Sequence, residues 1–288
     1  MPQTHTPQHE TAHDGAAGSV VAPLTYTLKK PEKLIYLITE MGEDEDSPEY
    51  RKWYVPHDMT IQDIRPNMSD LSLDREGFVL LNAKTGVKNF YDEKEVEEVY
   101  NPEVEKLVMA TTGADKVQVF DHTIRVSSDE ARRERQVREI VDLVHVDYTD
   151  DSGPQRVRDL MSEDEAAKHL ETRFAIINLW RSIAGTVQSS PLAMCDARSI
   201  KDEDWVPCGL DYGDRMGEIY NVAHNADHQW CYAPNMTADE VLLFKNYDSA
   251  KDGRARYAPH TAFADPTTPD GAPFRESIET RVLAFFTA

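Results

Sequence analysis

The sequence is poor in cysteine and has no long apolar run. Its three cysteines, Cys195, Cys208 and Cys231, form no CxxC pair, which argues against a disulfide framework and against a structural zinc site. No apolar run reaches the roughly 20 residues that span a bilayer, and the polar N-terminus lacks the apolar core of a secretory signal. These absences predict a cytoplasmic protein without a membrane partner.

Basic residues are also scarce. The chain has 31 Lys and Arg against 52 Asp and Glu, so its formal net charge is -21 at pH 7. A chain this acidic is repelled by phosphate backbones, which disfavours nucleic acid as a partner. We therefore expect a small-molecule partner, and a C2 homodimer is the default assembly.

The length and composition are those of a globular protein. The chain has 288 residues, of which 40% are hydrophobic, enough to bury a sizeable core. Residues 1–20 are polar and lack a hydrophobic period, so we predict a disordered tail there. Residues 21–288 are predicted to form a single domain, with an N-terminal α/β cap over about 21–115 and a jelly-roll core over about 116–288.

Short strands dominate the second half of the chain. Residues 92–108 have helical spacing, and residues 116–126 alternate as a strand does. After Ile140, a helical patch over 156–173 is followed by six short apolar segments separated by turn-forming residues. This pattern predicts a mainly β protein with flanking helices, folded as a double-stranded β-helix of the jelly-roll or cupin type.

The triplet His145-Val146-Asp147 is the most informative motif. On a strand, side chains two residues apart point to the same face, so His145 and Asp147 can bind one metal ion together. With one more histidine they would form a two-histidine, one-carboxylate triad, which leaves three positions on Fe(II) open for O2 and a chelating co-substrate. The alternative is a histidine that is simply hydrogen-bonded to a neighbouring carboxylate.

Three later histidines compete for the third ligand position: His224, His228 and His260. His260 is favoured because it follows a strong strand and precedes two arginines, Arg275 and Arg281. An arginine at this distance suits bidentate binding of the distal carboxylate of 2-oxoglutarate. On an extended segment Arg275 and Arg281 face the same side. His228 stays open as the main competitor.

Polar and aromatic residues also alternate in the segment that follows. Asn178 and Trp180 are predicted to share one face of a core strand, with Arg181 on the other. Because buried amides need hydrogen-bond partners, Asn178 and its neighbour Trp180 are candidate contacts to 2-oxoglutarate or substrate. Simple packing of Trp180 within the strand explains the pattern equally well.

Several longer segments carry a resemblance to a known family. They extend over most of the chain from about Val79 and comprise VFDHTIR (119–125), VHVDYT (144–149), RFAIINLWRSI (173–183), SSPLAMCDARSI (189–200), HQWCYAPNMTADEVLLFKNYDS (228–249), GRARYAPHTAFADP (253–266) and PFRESIETR (273–281). Together they resemble the AsaB/CmcJ-like hydroxylase/desaturase family, Fe(II)/2-oxoglutarate-dependent oxygenases of secondary metabolism.

The resemblance implies a cofactor set and a role for each residue of the site. Iron would be held by His145, Asp147 and His260. Arg275 would anchor 2-oxoglutarate, with Arg281 as the fallback. A small natural product or amino acid would be hydroxylated, desaturated or closed into an aziridine, epoxide or endoperoxide ring by O2, as 2-oxoglutarate is converted to succinate and CO2. The alternatives are a non-catalytic jelly-roll binding protein and a cupin-type metal hydrolase.

Overall fold

The fold, seen in a computed structural model, is built mainly from strands. The structure describes residues 18–30, 33–39, 42–43 and 51–287; the predicted tail lies outside this part of the chain except for its last three residues. The strands are β1 (Ser19–Thr27), β2 (Leu34–Thr39), β3 (Gly42–Glu43), β4 (Tyr54–Asp63), β5 (Phe78–Asn82), β6 (Lys116–Val126), β7 (His145–Val146), β8 (Phe174–Ser182), β9 (Leu192–Cys195), β10 (Trp205–Asp211), β11 (Met216–Val222), β12 (Trp230–Tyr232), β13 (Glu240–Asp248), β14 (His260–Ala262) and β15 (Glu276–Phe285).

The helices lie outside the sheets. They are α1 (Asn101–Thr112), α2 (Asp129–Arg135), α3 (Ser152–Leu160) and α4 (Glu163–Leu170), with 3-10 turns at Arg65–Asp70, Ala197–Ser199 and Asp202–Asp204. Helix α1 continues a helical turn and a π-helical turn, Glu93–Glu95 and Val96–Tyr100, so the predicted helix over 92–108 is present. It ends where Gly113 adopts a left-handed conformation (φ 71°) that favours glycine.

Two sheets face each other, as the jelly-roll prediction requires. One has ten strands in the order β1-β4-β12-β9-β14-β7-β11-β10-β2-β3, and the other has five in the order β5-β13-β8-β15-β6. Strands β8, β13 and β15 are buried on both faces along almost their whole length. Their outer faces pack against α1, and their inner faces pack into the space between the sheets. The predicted double-stranded β-helix fold is thereby confirmed.

The N-terminal segment contributes strands to both sheets. Strand β1 pairs with β4 in the ten-stranded sheet, and β5 pairs with β13 in the five-stranded sheet. Strands from both sides of residue 116, where the cap was predicted to end, therefore share the same hydrogen-bonded sheets. None of the described helices is long and apolar enough to cross a membrane.

Candidate metal centre

Three side chains meet where β7 and β14 pair at the middle of the ten-stranded sheet. His260 lies opposite His145 in the antiparallel register, and their ring centroids are 4.5 Å apart. Asp147 follows β7 directly. His145, Asp147 and His260 each offer one ligand atom, and these three atoms all lie within 4.8 Å of one another. They form the one group of this kind found in the described residues.

The histidine rings are oriented by backbone carbonyls. Nδ1 of His145 lies 2.7 Å from the carbonyl oxygen of Leu143, and Nδ1 of His260 lies 3.2 Å from that of Ala258. A carbonyl oxygen only accepts, so each Nδ1 carries the proton and donates it. In a neutral ring held in this way the lone pair is on Nε2, which can bind a metal ion.

The two oxygens of Asp147 have different surroundings. Oδ1 lies 3.4 Å from Nε2 of His145. Oδ2 accepts hydrogen bonds from Arg281 Nε at 2.7 Å, Asn178 Nδ2 at 2.9 Å and Asn246 Nδ2 at 3.3 Å. Burial alone would raise the pKa of Asp147, but Arg281 and the histidines outweigh it and hold this pKa well below its ordinary value. The carboxylate therefore stays ionised.

Burial keeps His260 neutral. It removes the ring from water and, together with the nearby His145, lowers the pKa of His260 to about 3. A neutral imidazole is the form that binds a metal ion. The centre thus combines a neutral His260 with one ionised carboxylate.

The two candidate arginines have opposite surroundings. The guanidinium of Arg281 is fully engaged by Asp147, by Asp121 and Thr123 at 3.0 Å each, and by Glu279 at 2.5 Å. Arg281 therefore acts on Asp147 directly, a role that its position in the sequence did not indicate.

Arg275 has no such partners. It is buried, its Nη1 donates to the carbonyl of Ser190 at 2.7 Å, and its guanidinium lies over the ring of Trp180 at 5.4 Å. Its Nε and the hydroxyl of Ser277, two residues on, are buried without a hydrogen-bond partner, and no described carboxylate forms an ion pair with it. Burial, with a contribution from Arg125, lowers the pKa of Arg275 to about 9. Glu279 opposes this shift, but its ion pair is with Arg281. A buried cation without an ion-pair partner of its own is costly, so this position suits a ligand carboxylate.

The remaining predicted residues have structural contacts. Asn178 faces the space between the sheets with Trp180 and contacts Asp147, whereas Arg181 lies on the outer face of β8 over Tyr100. His228 is not brought to His145 and Asp147. Trp230 donates to the hydroxyl of Tyr26, which is 3.2 Å from Nδ1 of His228, and Nε2 of His228 is 3.2 Å from Asp204. Both ring nitrogens of His228 are thus occupied within the core.

A large cavity opens onto the metal centre. Its volume is about 1110 Å³, which is enough for a drug-sized molecule. Its walls include His145, Asp147, Tyr148, Arg281, Phe120 and Arg156. Sequence reasoning did not identify Arg156 or Asn246, because their relation to the centre depends on which distant strands and helices are adjacent.

Comparison with known proteins places the chain in a family. Residues 24–285 match the family model described as "Oxidoreductase/YMDC permease-like domain". The hydroxylase/desaturase efuI of Hormonema carpetanum is 39% identical over 258 residues, covering 82% of this chain and 86% of that protein. The Fe(II)/2-oxoglutarate-dependent dioxygenase nvfI of Aspergillus novofumigatus is 31% identical over 240 residues, covering 81% and 84%.

A solved structure agrees with these matches. The iron and alpha-ketoglutarate-dependent endoperoxidase NvfI superposes with a TM-score of 0.81 at 26% identity, covering 95% of this chain and all of that chain. The predicted resemblance is therefore confirmed over most of the sequence. The chain belongs to this oxidoreductase family of hydroxylase/desaturase-type, Fe(II)/2-oxoglutarate-dependent dioxygenases.

Proposed function

We propose that the enzyme holds Fe(II) through Nε2 of His145, Oδ1 of Asp147 and Nε2 of His260. The observation that carries this assignment is the convergence of these three atoms within 4.8 Å. The other ring nitrogen of each histidine, Nδ1, is hydrogen-bonded to a backbone carbonyl. The other oxygen of Asp147, Oδ2, accepts hydrogen bonds from Arg281, Asn178 and Asn246. Such outer contacts fix the orientation of metal ligands in proteins.

Arg275 is proposed to bind the distal carboxylate of 2-oxoglutarate. Arg275 is a buried cation without a carboxylate partner, whereas every nitrogen of the alternative, Arg281, is engaged. The unpartnered hydroxyl of Ser277 lies on the same face of the chain as Arg275 and offers a second donor. Trp180 beneath the guanidinium supplies an apolar floor that excludes water.

Together, bound Fe(II) and 2-oxoglutarate supply oxidation of a substrate C–H bond by O2, with release of succinate and CO2. The chain's own residues supply the geometry. Arg281, Asn178 and Asn246 hold Asp147 in place, and the carbonyls of Leu143 and Ala258 hold the two imidazoles. The cavity receives a small natural product or amino acid, whose placement selects hydroxylation, desaturation or oxidative ring closure. The comparisons give no support to a non-catalytic binding protein or to a cupin-type metal hydrolase.

Succinate formation from 2-oxoglutarate under air tests the ligand assignment. Wild type should form succinate with Fe(II) and none without it. The substrate can be left out of this assay, because such sites turn over 2-oxoglutarate slowly even when the substrate is absent. His260→Ala should abolish this activity, whereas His228→Gln and the exposed His224→Ala should retain it. Activity in His260→Ala together with its loss in His228→Gln would move the third ligand to His228.

Binding without turnover provides the second measurement. Under argon, Fe(II) and 2-oxoglutarate bound together should give a visible charge-transfer band in wild type and not in His260→Ala. Circular dichroism of each variant separates loss of a ligand from loss of the fold. Absence of both the band and succinate in wild type would contradict the proposal.

Cytoplasmic location and a homodimer stay predictions. Fractionation of the source cells and light scattering of the purified protein test them directly.

A further inference from the structure

Arg156 is a cation on the cavity wall that lacks an anionic partner. It lies on α3, and its guanidinium carbon is 5.1 Å from the centre of the Phe120 ring. Its Nε is buried without a hydrogen-bond partner, and no carboxylate of the described residues forms an ion pair with it. An arginine stacked on an aromatic ring keeps its planar edge available for a carboxylate.

The start of α3 is fixed, so the position of Arg156 is defined. Ser152 donates its hydroxyl to the carbonyl of Glu218 at 2.7 Å and accepts from the backbone N–H of Thr149 at 2.8 Å. Gly153 packs flat against the ring of Tyr247, where an added Cβ would come within 2.8 Å of ring carbons. Arg156 follows one turn later and faces the cavity.

Arg156 and Tyr148 line the same cavity as His145 and Asp147. Tyr148 directly follows Asp147 in the chain. Arg275 is not among the described residues that line this cavity. A carboxylate at Arg156 would therefore be bound separately from one at Arg275.

Other cations along the cavity are engaged or exposed. Lys33 is paired with Glu218, and Arg281 with three carboxylates. Arg215 is exposed on the turn between β10 and β11, stacked on Tyr212. Arg138 is exposed, and Arg125 donates its Nη1 to the backbone carbonyl of Glu139. Arg156 differs from these residues because its Nε is buried without a hydrogen-bond partner.

We propose that Arg156, stacked on Phe120, binds a carboxylate of the substrate, so that the substrate class is small carboxylic acids with an apolar skeleton. This specificity rests on the proposed function, since the bound acid must share the cavity with the metal centre. An acid held here would have the rest of the cavity, including the wall at Tyr148, for its carbon skeleton. The negative charge of the chain as a whole makes such a local cation necessary for capturing an anion.

The test compares an acid with its neutral amide. The probes are 4-phenylbutyrate and 4-phenylbutyramide, titrated by calorimetry under argon against enzyme loaded with Fe(II) and saturating 2-oxoglutarate. Wild type should bind the acid about tenfold more tightly than the amide, which corresponds to about 1.4 kcal/mol. Arg156→Gln should remove this preference by weakening the acid alone. Arg156→Lys should keep part of it, and the cavity-lining control Arg215→Gln should keep all of it.

Each other outcome overturns a defined part of the proposal. Equal binding of acid and amide by wild type, or no binding of either, would refute the carboxylate subsite, as would an unchanged preference in Arg156→Gln. Acid binding that weakens as 2-oxoglutarate is raised would place the probe at Arg275 instead. The charge-transfer band of Fe(II) and 2-oxoglutarate is recorded on every sample. Its absence from wild type would refute the metal site while leaving the acid preference to be judged by itself.

Discussion

Replacing Arg275 with methionine should change ligand affinity and stability in opposite directions. The guanidinium is buried beside Trp180 with one backbone carbonyl as its hydrogen-bond partner, so the protein without 2-oxoglutarate bears the cost of an unpaired charge. Methionine has a similar length, packs well on an aromatic ring and carries no charge. The backbone N–H of residue 275 keeps its bond to Ser127 in the variant.

The magnitudes follow from burial. Removing one partner of a buried charge pair costs about 2–5 kcal/mol of affinity, so the Kd of 2-oxoglutarate should rise at least about 30-fold. Replacing buried ionic groups by apolar ones is neutral or stabilising by about 1–4 kcal/mol. Arg275→Met without ligand should therefore be at least as stable as wild type, although it loses its co-substrate.

Two assays and one control decide the point. The Kd comes from titration of the Fe(II)/2-oxoglutarate charge-transfer band under argon, and stability comes from urea unfolding without ligand. Arg181→Met is the matched control, because Arg181 is also a buried arginine but lies on the outer face of β8 over Tyr100. An unchanged Kd in Arg275→Met would refute the anchor. If Arg275→Met lost more than about 1 kcal/mol of stability, the inference that the charge of Arg275 is unpaired in the protein without ligand would be wrong.

Three further predictions concern stability. Arg281→Met should destabilise the protein by about 3–5 kcal/mol in urea unfolding, because it leaves buried Asp147 and Glu279 uncompensated, and a loss under about 1 kcal/mol would contradict this. Stability should fall as the pH drops below about 6.5. Burial lowers the pKa of His228 in the folded state, so the unfolded chain is the first to be protonated at this residue. In urea unfolding measured from pH 8 to 5, His228→Gln should reduce the dependence of the unfolding free energy on pH. Fe(II) at 100 times its Kd should stabilise wild type by about 2.7 kcal/mol, seen as a higher Tm, and should leave the Tm of His260→Ala unchanged. Added chelator must abolish the rise in the Tm of wild type.

Local patterns predicted much of the fold. Strand β6 and the helix leading into α1 match the predicted segments, because period-2 and period-3.6 spacing is local information. The strand predicted around His145 is shorter, since only His145 and Val146 pair within β7. Strand length depends on how far the neighbouring strands extend, and β14 has just three residues.

Contacts within the site between residues far apart in the sequence could not be predicted from local sequence patterns. Whether His228 or His260 approaches His145 depends on the register between β7 and β14, which are more than a hundred residues apart. Arg275 and Arg281 are an even number of residues apart, but that spacing does not say which arginine reaches Asp147. That contact depends on the pairing of β15 with β8, where Arg281 lies opposite Asn178.

The hydrogen bonds to Asp147 also limit its denticity. Oδ2 is held by Arg281, Asn178 and Asn246, so turning it toward a metal ion would break three hydrogen bonds, one of them to a buried cation. Asp147 is thereby restricted to offering a single oxygen. In the proposed centre, a carboxylate that bound the metal through both oxygens would occupy one more position and leave fewer for a 2-oxo acid and O2. Three residues that are not ligands in this assignment thus set how many reactants the centre can hold at once.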